Sequence, residues 1–354
     1  MSRLYSPKAW LLSLAGACVL AGWPVKEARA AVTCTATMTG VDFGSVDLVA
    51  GVGLSASGTL NYTCTNDATA LTYVRVCFNI GDGNESLGFF NPRRMTSAGN
   101  VLQFQIYHTS GSTIWGSNGN TVVPNPFIAN LAIPRRSGGN NGSISGSTAM
   151  QGVIPSGQTA VPPGSYQDFF SAAGGHTSIS WTTSTTSPPS SSTNNCSGTT
   201  SGSFPFTVRA AVIKSCTVTA GAASNIQLGA AGGVDATATN IMGNNTIGVT
   251  CSSGTPYFIG LRPSNNNSAG LGRMVALNIP PVTGNTDTIP YQLRSAAGMT
   301  GQIWGNTATA TAVGNGVART GTGANQNVTV YATTPNANFT PDSYADTVTV
   351  IVNY

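Results

Sequence analysis

The sequence predicts an all-β protein in which one domain plan is used twice. Three observations carry that expectation. Short runs of alternating Val, Ile, Tyr and Phe are separated by Gly, Ser, Thr and Asn, the pattern of half-buried strands with turns between them. No run at helical period extends beyond a few residues. The same landmarks also recur in the same order at a period of about 180 residues, far above the period of a solenoid, which reads as two tandem domains.

The chain opens with a segment to be set aside. Arg3 and Lys8 form a positive n-region, Trp10 to Leu20 is apolar, and Ala28-Arg29-Ala30 is a small–x–small cleavage pattern. Residues 1–30 therefore read as a secretory signal peptide. Cys18 lies inside the apolar run, but Ala15, three residues before it, is not the bulky aliphatic of a lipoprotein signal. No later apolar stretch approaches the roughly 20 residues that span a bilayer. An exported, soluble product starting near Ala31 is expected.

Of 15 basic and 11 acidic residues, removing Arg3, Lys8, Lys26, Arg29 and Glu27 leaves 11 and 10. The formal charge of +4 thus belongs mostly to the discarded segment, and Lys214 is the lysine that remains. Such a balance gives no reason to expect a nucleic-acid or anionic-membrane partner.

Six of the 7 cysteines lie beyond the signal: Cys34, Cys64, Cys77, Cys196, Cys216 and Cys251. An even count in an exported chain reads as disulfides. The repeat narrows the pairing. Cys34-Thr-Ala-Thr before a stretch ending Leu60-Asn-Tyr-Thr-Cys64 is answered by Cys216-Thr-Val-Thr before Ile247-Gly-Val-Thr-Cys251. Arg94-Met95 answers Arg273-Met274, and Ile114-Trp115-Gly116 answers Ile303-Trp304-Gly305. Pro163-Gly164-Ser165-Tyr166-Gln167-Asp168 answers Pro341-Asp342-Ser343-Tyr344-Ala345-Asp346. One bridge per domain follows, Cys34–Cys64 and Cys216–Cys251, each closing a loop worth about 3–4 kcal/mol in the chain-entropy model. Cys77 and Cys196 lack counterparts and are expected to pair with each other.

The expected boundaries are 31–213 for the first domain, with an insertion at 171–203, and 214–354 for the second. The insertion is read as splitting the last strand. On that reading Phe204, Phe206, Val208, Ala210 and Val212 correspond to the terminal strand carrying Val348, Val350, Val352 and Tyr354.

These landmarks resemble the Spore Coat Protein U domain family, whose members include subunits of archaic (Csu-type) chaperone–usher pili. The resemblance covers nearly all of the chain beyond the signal, in two copies. It implies immunoglobulin-like β-sandwich (pilin-type) domains, the second lacking one strand. It also implies the partners: a periplasmic chaperone, an outer-membrane usher, and a neighbouring subunit that donates an N-terminal strand by β-augmentation. The strand 348–354 would contact chaperone or subunit. In such a filament a donor strand precedes the first cysteine. Here only Ala31, Val32 and Thr33 separate the expected cleavage site from Cys34, at most about 10 Å of chain. A subunit that accepts but cannot donate occupies the distal end, so a tip adhesin at the cell surface is expected.

Three stretches of the first domain have no match in the second: 83–90, 119–131 and 176–181. Each mixes large apolar residues with Gly, Pro, Asn and Ser. The resemblance implies adhesion to abiotic or host surfaces through apolar loops, and Val122, Val123, Phe127, Ile128, Ile179 and Trp181 are the expected exposed cluster. The opposing expectation is that they fold back over open edges of the domain.

Catalytic chemistry is not expected. His108 and His176 belong to no recognisable triad, no Gly-x-Ser-x-Gly elbow occurs, and no Cys-x-x-Cys pair suggests zinc. The run from Asp82 to Gly88 places oxygen ligands alternately but lacks the downstream glutamate of a calcium loop. Neither cofactor nor metal is expected. The alternatives to an adhesin are a structural coat or minor pilus subunit and a carbohydrate-binding lectin tip.

Overall fold

The computed structural model describes residues 32–51, 54–109, 111–189, 196, 198–230 and 232–354, so the expected signal peptide and Ala31 lie outside it. Alternating segments become strands throughout. In the first sandwich these are β1 (Val32–Met38), β2 (Val41–Val46), β3 (Leu54–Asn66), β4 (Thr72–Ile80), β5 (Arg93–Ser97) and β6 (Asn100–Tyr107). They continue with β7 (Phe127–Ile133), β8 (Gly142–Ile154), β9 (Gly164–Phe170), β10 (Thr177–Ser184), β11 (Thr199–Thr200) and β12 (Phe206–Val212). One sheet has the order β1-β3-β8-β6-β5-β9-β12-β2 and faces a second ordered β11-β10-β4-β7.

The second sandwich contains β13 (Cys216–Thr219), β14 (Thr239–Cys251), β15 (Pro256–Pro263), β16 (Leu271–Ala276) and β17 (Thr288–Arg294). It closes with β18 (Val317–Thr320), β19 (Gln326–Asn336), β20 (Tyr344–Ala345) and β21 (Val348–Asn353). Its sheets are ordered β13-β14-β19-β17-β16-β20 and β18-β15-β21.

The register aligns the two copies. Cys34 lies directly opposite Cys64 and Cys216 opposite Cys251, and each pair is bridged. The indole of Trp115 donates to the Phe78 carbonyl at 2.8 Å, and that of Trp304 donates to the Ile259 carbonyl at the same distance. Both rings are fully buried pins between sheets. Cys77 and Cys196 form the third bridge. It lies on the side of β4 facing away from the main core, where Arg75 and Asn79 are also buried.

One expectation is corrected. The strand equivalent to β21 is β10, not Phe204–Val212. β10 pairs along β4, with Ile179 opposite Phe78, just as β21 pairs along β15, with Val352 opposite Ile259. Residues 177–184 therefore belong to the shared plan rather than to an insertion. What the second sandwich lacks is the segment from the end of β10 through β12, and among its described residues no strand answers β2. Alternation fixes which side chains share a face, but it does not fix the partner strand.

β12 lies antiparallel to β9 and parallel to β2. Phe204, Phe206, Val208, Ala210 and Val212 are all buried in the first core. Phe204 stacks on Trp115 at 5.8 Å and Phe206 on Phe170 at 4.6 Å. Burying these five side chains contributes on the order of 10 kcal/mol, an upper estimate because the unfolded chain already hides some apolar area.

Candidate functional site

In sheet order the second sandwich repeats the first strand for strand until β20, the counterpart of β9, and there it stops. The place of β12 is vacant. A groove of about 620 Å³ occupies it, with Val218, Ile226 and Leu228 on one wall, Tyr344, Val348 and Val350 on the other, and Leu293 among its floor residues. Val348, Val350 and Val352 pack only partly against the second core, and Tyr354 is exposed. On this wall Tyr291 donates to the Asp346 carboxylate at 2.7 Å. Burial and that hydrogen bond push the Tyr291 phenol far above its usual range. The groove thus offers apolar pockets between two backbone edges, which is what an added strand needs.

A second feature lies at the far end of the first sandwich. Three loops meet where β4 ends and β7 and β10 begin. Gly81 N–H donates to the His176 carbonyl at 2.8 Å, Asn118 N–H to Asn79 Oδ1 at 2.8 Å, and Asn84 N–H to the Phe169 carbonyl at 3.0 Å. Asp82 and His176 pair at 3.0 Å, and Ser171 Oγ donates to Asn84 Oδ1 at 2.9 Å. Beneath the loops sits buried Arg93, donating to Gly81 O, Gln105 Oε1 and Trp115 O. Desolvation lowers its guanidinium to about 10. Buried Asp168 accepts from Glu85 N–H at 2.9 Å, and burial pushes its carboxyl up to about 7.

The start of β12 lies at this end, where Phe204 N–H donates to Thr177 Oγ1. Its other end leads through Ile213, Lys214 and Ser215 into the second sandwich. The loop cluster therefore faces away from the groove-bearing domain.

Stretches 83–90, 119–131 and 176–181 all border this end, but three of the six side chains expected to be exposed do not face outward. Ile179, Trp181 and Val123 are buried, which corrects their expected exposure. Ile179 and Trp181 alternate inward from β10 onto the first core. Val123 is turned inward because Asn120 Oδ1 accepts both the Val122 and Val123 N–H groups. Gly116 completes the turn: a Cβ there would meet the Val123 carbonyl at 2.0 Å. Phe127 and Ile128 are half-buried, with the Phe127 ring against Phe78 and edge-on to His108. Val122 does project, at 61% exposure, and so do Leu87 at 83% and Phe89. Arg94 lies over the Phe89 ring at 3.2 Å. Leu87 and Phe89 fall within the first flagged stretch. The mix of apolar and turn residues was the signal for them, but nothing local distinguished them from their neighbours.

The chain is thus two immunoglobulin-like sandwiches in tandem, one closed by the chain's own strand and one left open at a groove. The model of the Spore Coat Protein U domain matches residues 23–173 and again 202–351, and the chain belongs to that family. The second match begins before β12. That strand therefore leads the second repeat in sequence while completing the first sandwich in space. Among curated proteins none matches the chain.

Solved structures resemble the chain at low identity. A complex of the chaperone CsuC with the tip adhesion subunit CsuE, from archaic chaperone–usher Csu pili of Acinetobacter baumannii, is 17% identical with a TM-score of 0.49. The match covers 91% of this chain and 100% of that one. The CupB6 tip adhesin of Pseudomonas aeruginosa is 11% identical with a TM-score of 0.35, covering 91% and 94% respectively. Family membership rests on the sequence match.

Proposed function

We propose that this chain is the tip subunit, an adhesin, of a chaperone–usher pilus displayed at the cell surface. Its second sandwich accepts a strand from the neighbouring subunit, and its first presents the distal loops to an abiotic or host surface. One observation carries the reading: the groove between Leu228 and Val348 lies where β12 completes the first sandwich. Before assembly a periplasmic chaperone fills that groove, and the outer-membrane usher then exchanges it for the next subunit. The first sandwich is already filled by β12 and needs no such partner. Leu87, Phe89 and Val122 supply apolar contact at the free end, each burying roughly 1.5–3 kcal/mol of side chain against an apolar surface, multiplied over many filaments.

Immunogold labelling of intact cells tests this. Gold confined to filament ends is the expected result. Gold along the shafts, or none on filaments, contradicts the tip assignment and leaves the coat or minor-subunit alternative. Adhesion abolished by free sugar yet indifferent to detergent would instead favour a lectin tip.

A further inference from the structure

The junction between the two sandwiches shows how the owner of an inserted strand arrives. β12 fills the first sandwich, and only Ile213, Lys214 and Ser215 separate Val212 from Cys216 of the second. Val212 lies opposite Gly164. The second body then packs close by. Gly323, at φ +74, lies so near the Thr159 carbonyl that a Cβ would meet it at 1.9 Å, and Gly254 approaches Pro162. Ser215 Oγ also donates to Asp47 Oδ2 at 2.8 Å. The contacts therefore fall just before Gly164, at the end where the strand leaves.

The counterpart of Gly164 is Asp342. A strand seated in the second groove with the direction of β12 leaves it beside Asp342. If the spacing of the internal junction holds, its owner's body begins about 13 Å further on. The two sandwiches also differ at this end. The first joins β5 to β6 by the tight turn Ala98-Gly99, at φ 47 and 85. The second joins β16 to β17 by a long loop, residues 277–287.

That loop is fastened to the groove's exit. Leu277 N–H donates to the Ser343 carbonyl at 2.8 Å and Asn278 N–H to Asp342 Oδ2 at 3.0 Å. Asn285 Nδ2 donates to Asp342 Oδ2 at 3.1 Å and to Tyr344 Oη at 3.0 Å. With its backbone so held, Leu277 remains 49% and Ile279 51% exposed. Large aliphatic side chains fixed outward on a braced loop are the composition of a contact surface.

We propose that the 277–287 loop is a docking platform for the folded body of the subunit whose strand fills the groove, with Leu277 and Ile279 as its apolar contacts. The inference rests on the strand-accepting reading above. It adds that recognition extends beyond the strand to the body behind it. The distal loops of the first sandwich, at the other end of the molecule, take no part.

Site-specific photocrosslinking in the producing cells separates the two claims. The full chain carries p-benzoylphenylalanine either inside the groove, as Leu228→p-benzoylphenylalanine, or on the loop, as Ile279→p-benzoylphenylalanine. Mass spectrometry then identifies both the captured protein and the crosslinked peptide. The expected result is that both probes capture the same subunit, the groove probe within its N-terminal strand and the loop probe beyond its first cysteine. A groove probe that captures the subunit while the loop probe captures nothing, or only the strand, overturns the platform and leaves strand acceptance standing. Failure of the groove probe to capture any subunit overturns the underlying reading and the platform with it.

Discussion

The two sandwiches share an order of strands, a bridged cysteine pair and a buried tryptophan pin, yet one is closed and the other open. In the first, β12 adds five apolar side chains to the core. In the second, the same position is a groove, and Val348, Val350 and Val352 are left half-buried. A β-sandwich can thus lose one strand and keep its topology, because the remaining ladders satisfy most backbone groups. What it loses is core. The largest perturbation should therefore be one that opens the closed domain. Val208→Asp puts an unpaired carboxylate into the first core, and a loss of about 4 kcal/mol or more is expected. Denaturant unfolding of the purified chain should show the first domain's transition abolished. Val350→Asp, on a groove wall, should cost less than half as much. Equal effects would mean that β12 is not part of the core.

The terminal strands offer a narrower contrast. Trp181 on β10 and Tyr354 at the end of β21 hold corresponding places, since Trp181 lies opposite Val76 and Tyr354 follows the Asn353–Phe258 pair. Trp181 is buried and Tyr354 is 44% exposed. Trp181→Ala should cost about 3–5 kcal/mol, and Tyr354→Ala less than about 1 kcal/mol. Filling the groove should instead raise the stability of the second domain. A synthetic peptide of residues 203–213 reproduces β12, and at a hundredfold excess over its Kd it should stabilise the second domain by about 2.7 kcal/mol. Calorimetry would register the rise. The same peptide carrying Val208→Asp should do nothing. Identical behaviour of the two peptides would show that the groove does not read a β12-like strand.

How far this contrast could be read from the sequence depends on what each signal encodes. The bridges were legible because Cys34, Cys64, Cys216 and Cys251 recur with their neighbours, and a repeat transmits pairing. The all-β class was legible because alternation is local. The closing strand was not. Both 177–184 and 204–212 carry alternating apolar residues, and only the pairing of Thr177 with Ile80, far away in sequence, decides which belongs to the shared plan. Exposure failed for a related reason. Val122 and Val123 are adjacent and chemically identical, and it is the Asn120 side chain and the bare Gly116 backbone that send one outward and the other in.

A further contrast lies in the paired aspartates. Asp168 is sealed beneath the distal loops, whereas Asp346 lines the open groove and accepts from Tyr291. For Asp168, the folded carboxyl titrates near 7 because burial disfavours the charge. The folded state therefore holds a proton that the unfolded chain has released above its ordinary carboxyl range. Its stabilising contribution is full below about pH 4 and is lost as the pH rises towards 7. Asp168→Asn should flatten the fall in first-domain Tm between pH 4 and 7, while keeping an acceptor for Glu85 N–H. An unchanged pH slope in this variant would contradict the buried, protonated state.

The smallest effect on stability, and the most telling one for adhesion, is expected at the free end. Leu87 and Val122 are exposed, and neither contributes to the first core. Polar replacement, Leu87→Ser with Val122→Ser, should change stability by no more than about 0.5 kcal/mol per site. Phe89 is left in place because Arg94 lies against its ring. Piliation should also be unchanged, since the groove and the 277–287 loop sit at the other end. Attachment to an apolar plastic, measured on cells with normal filament counts, should fall severalfold as the apolar contact area is removed. Undiminished attachment would separate the two halves of the comparison: strand acceptance by the open sandwich would stand, but the closed sandwich would grip its surface by some face other than these loops.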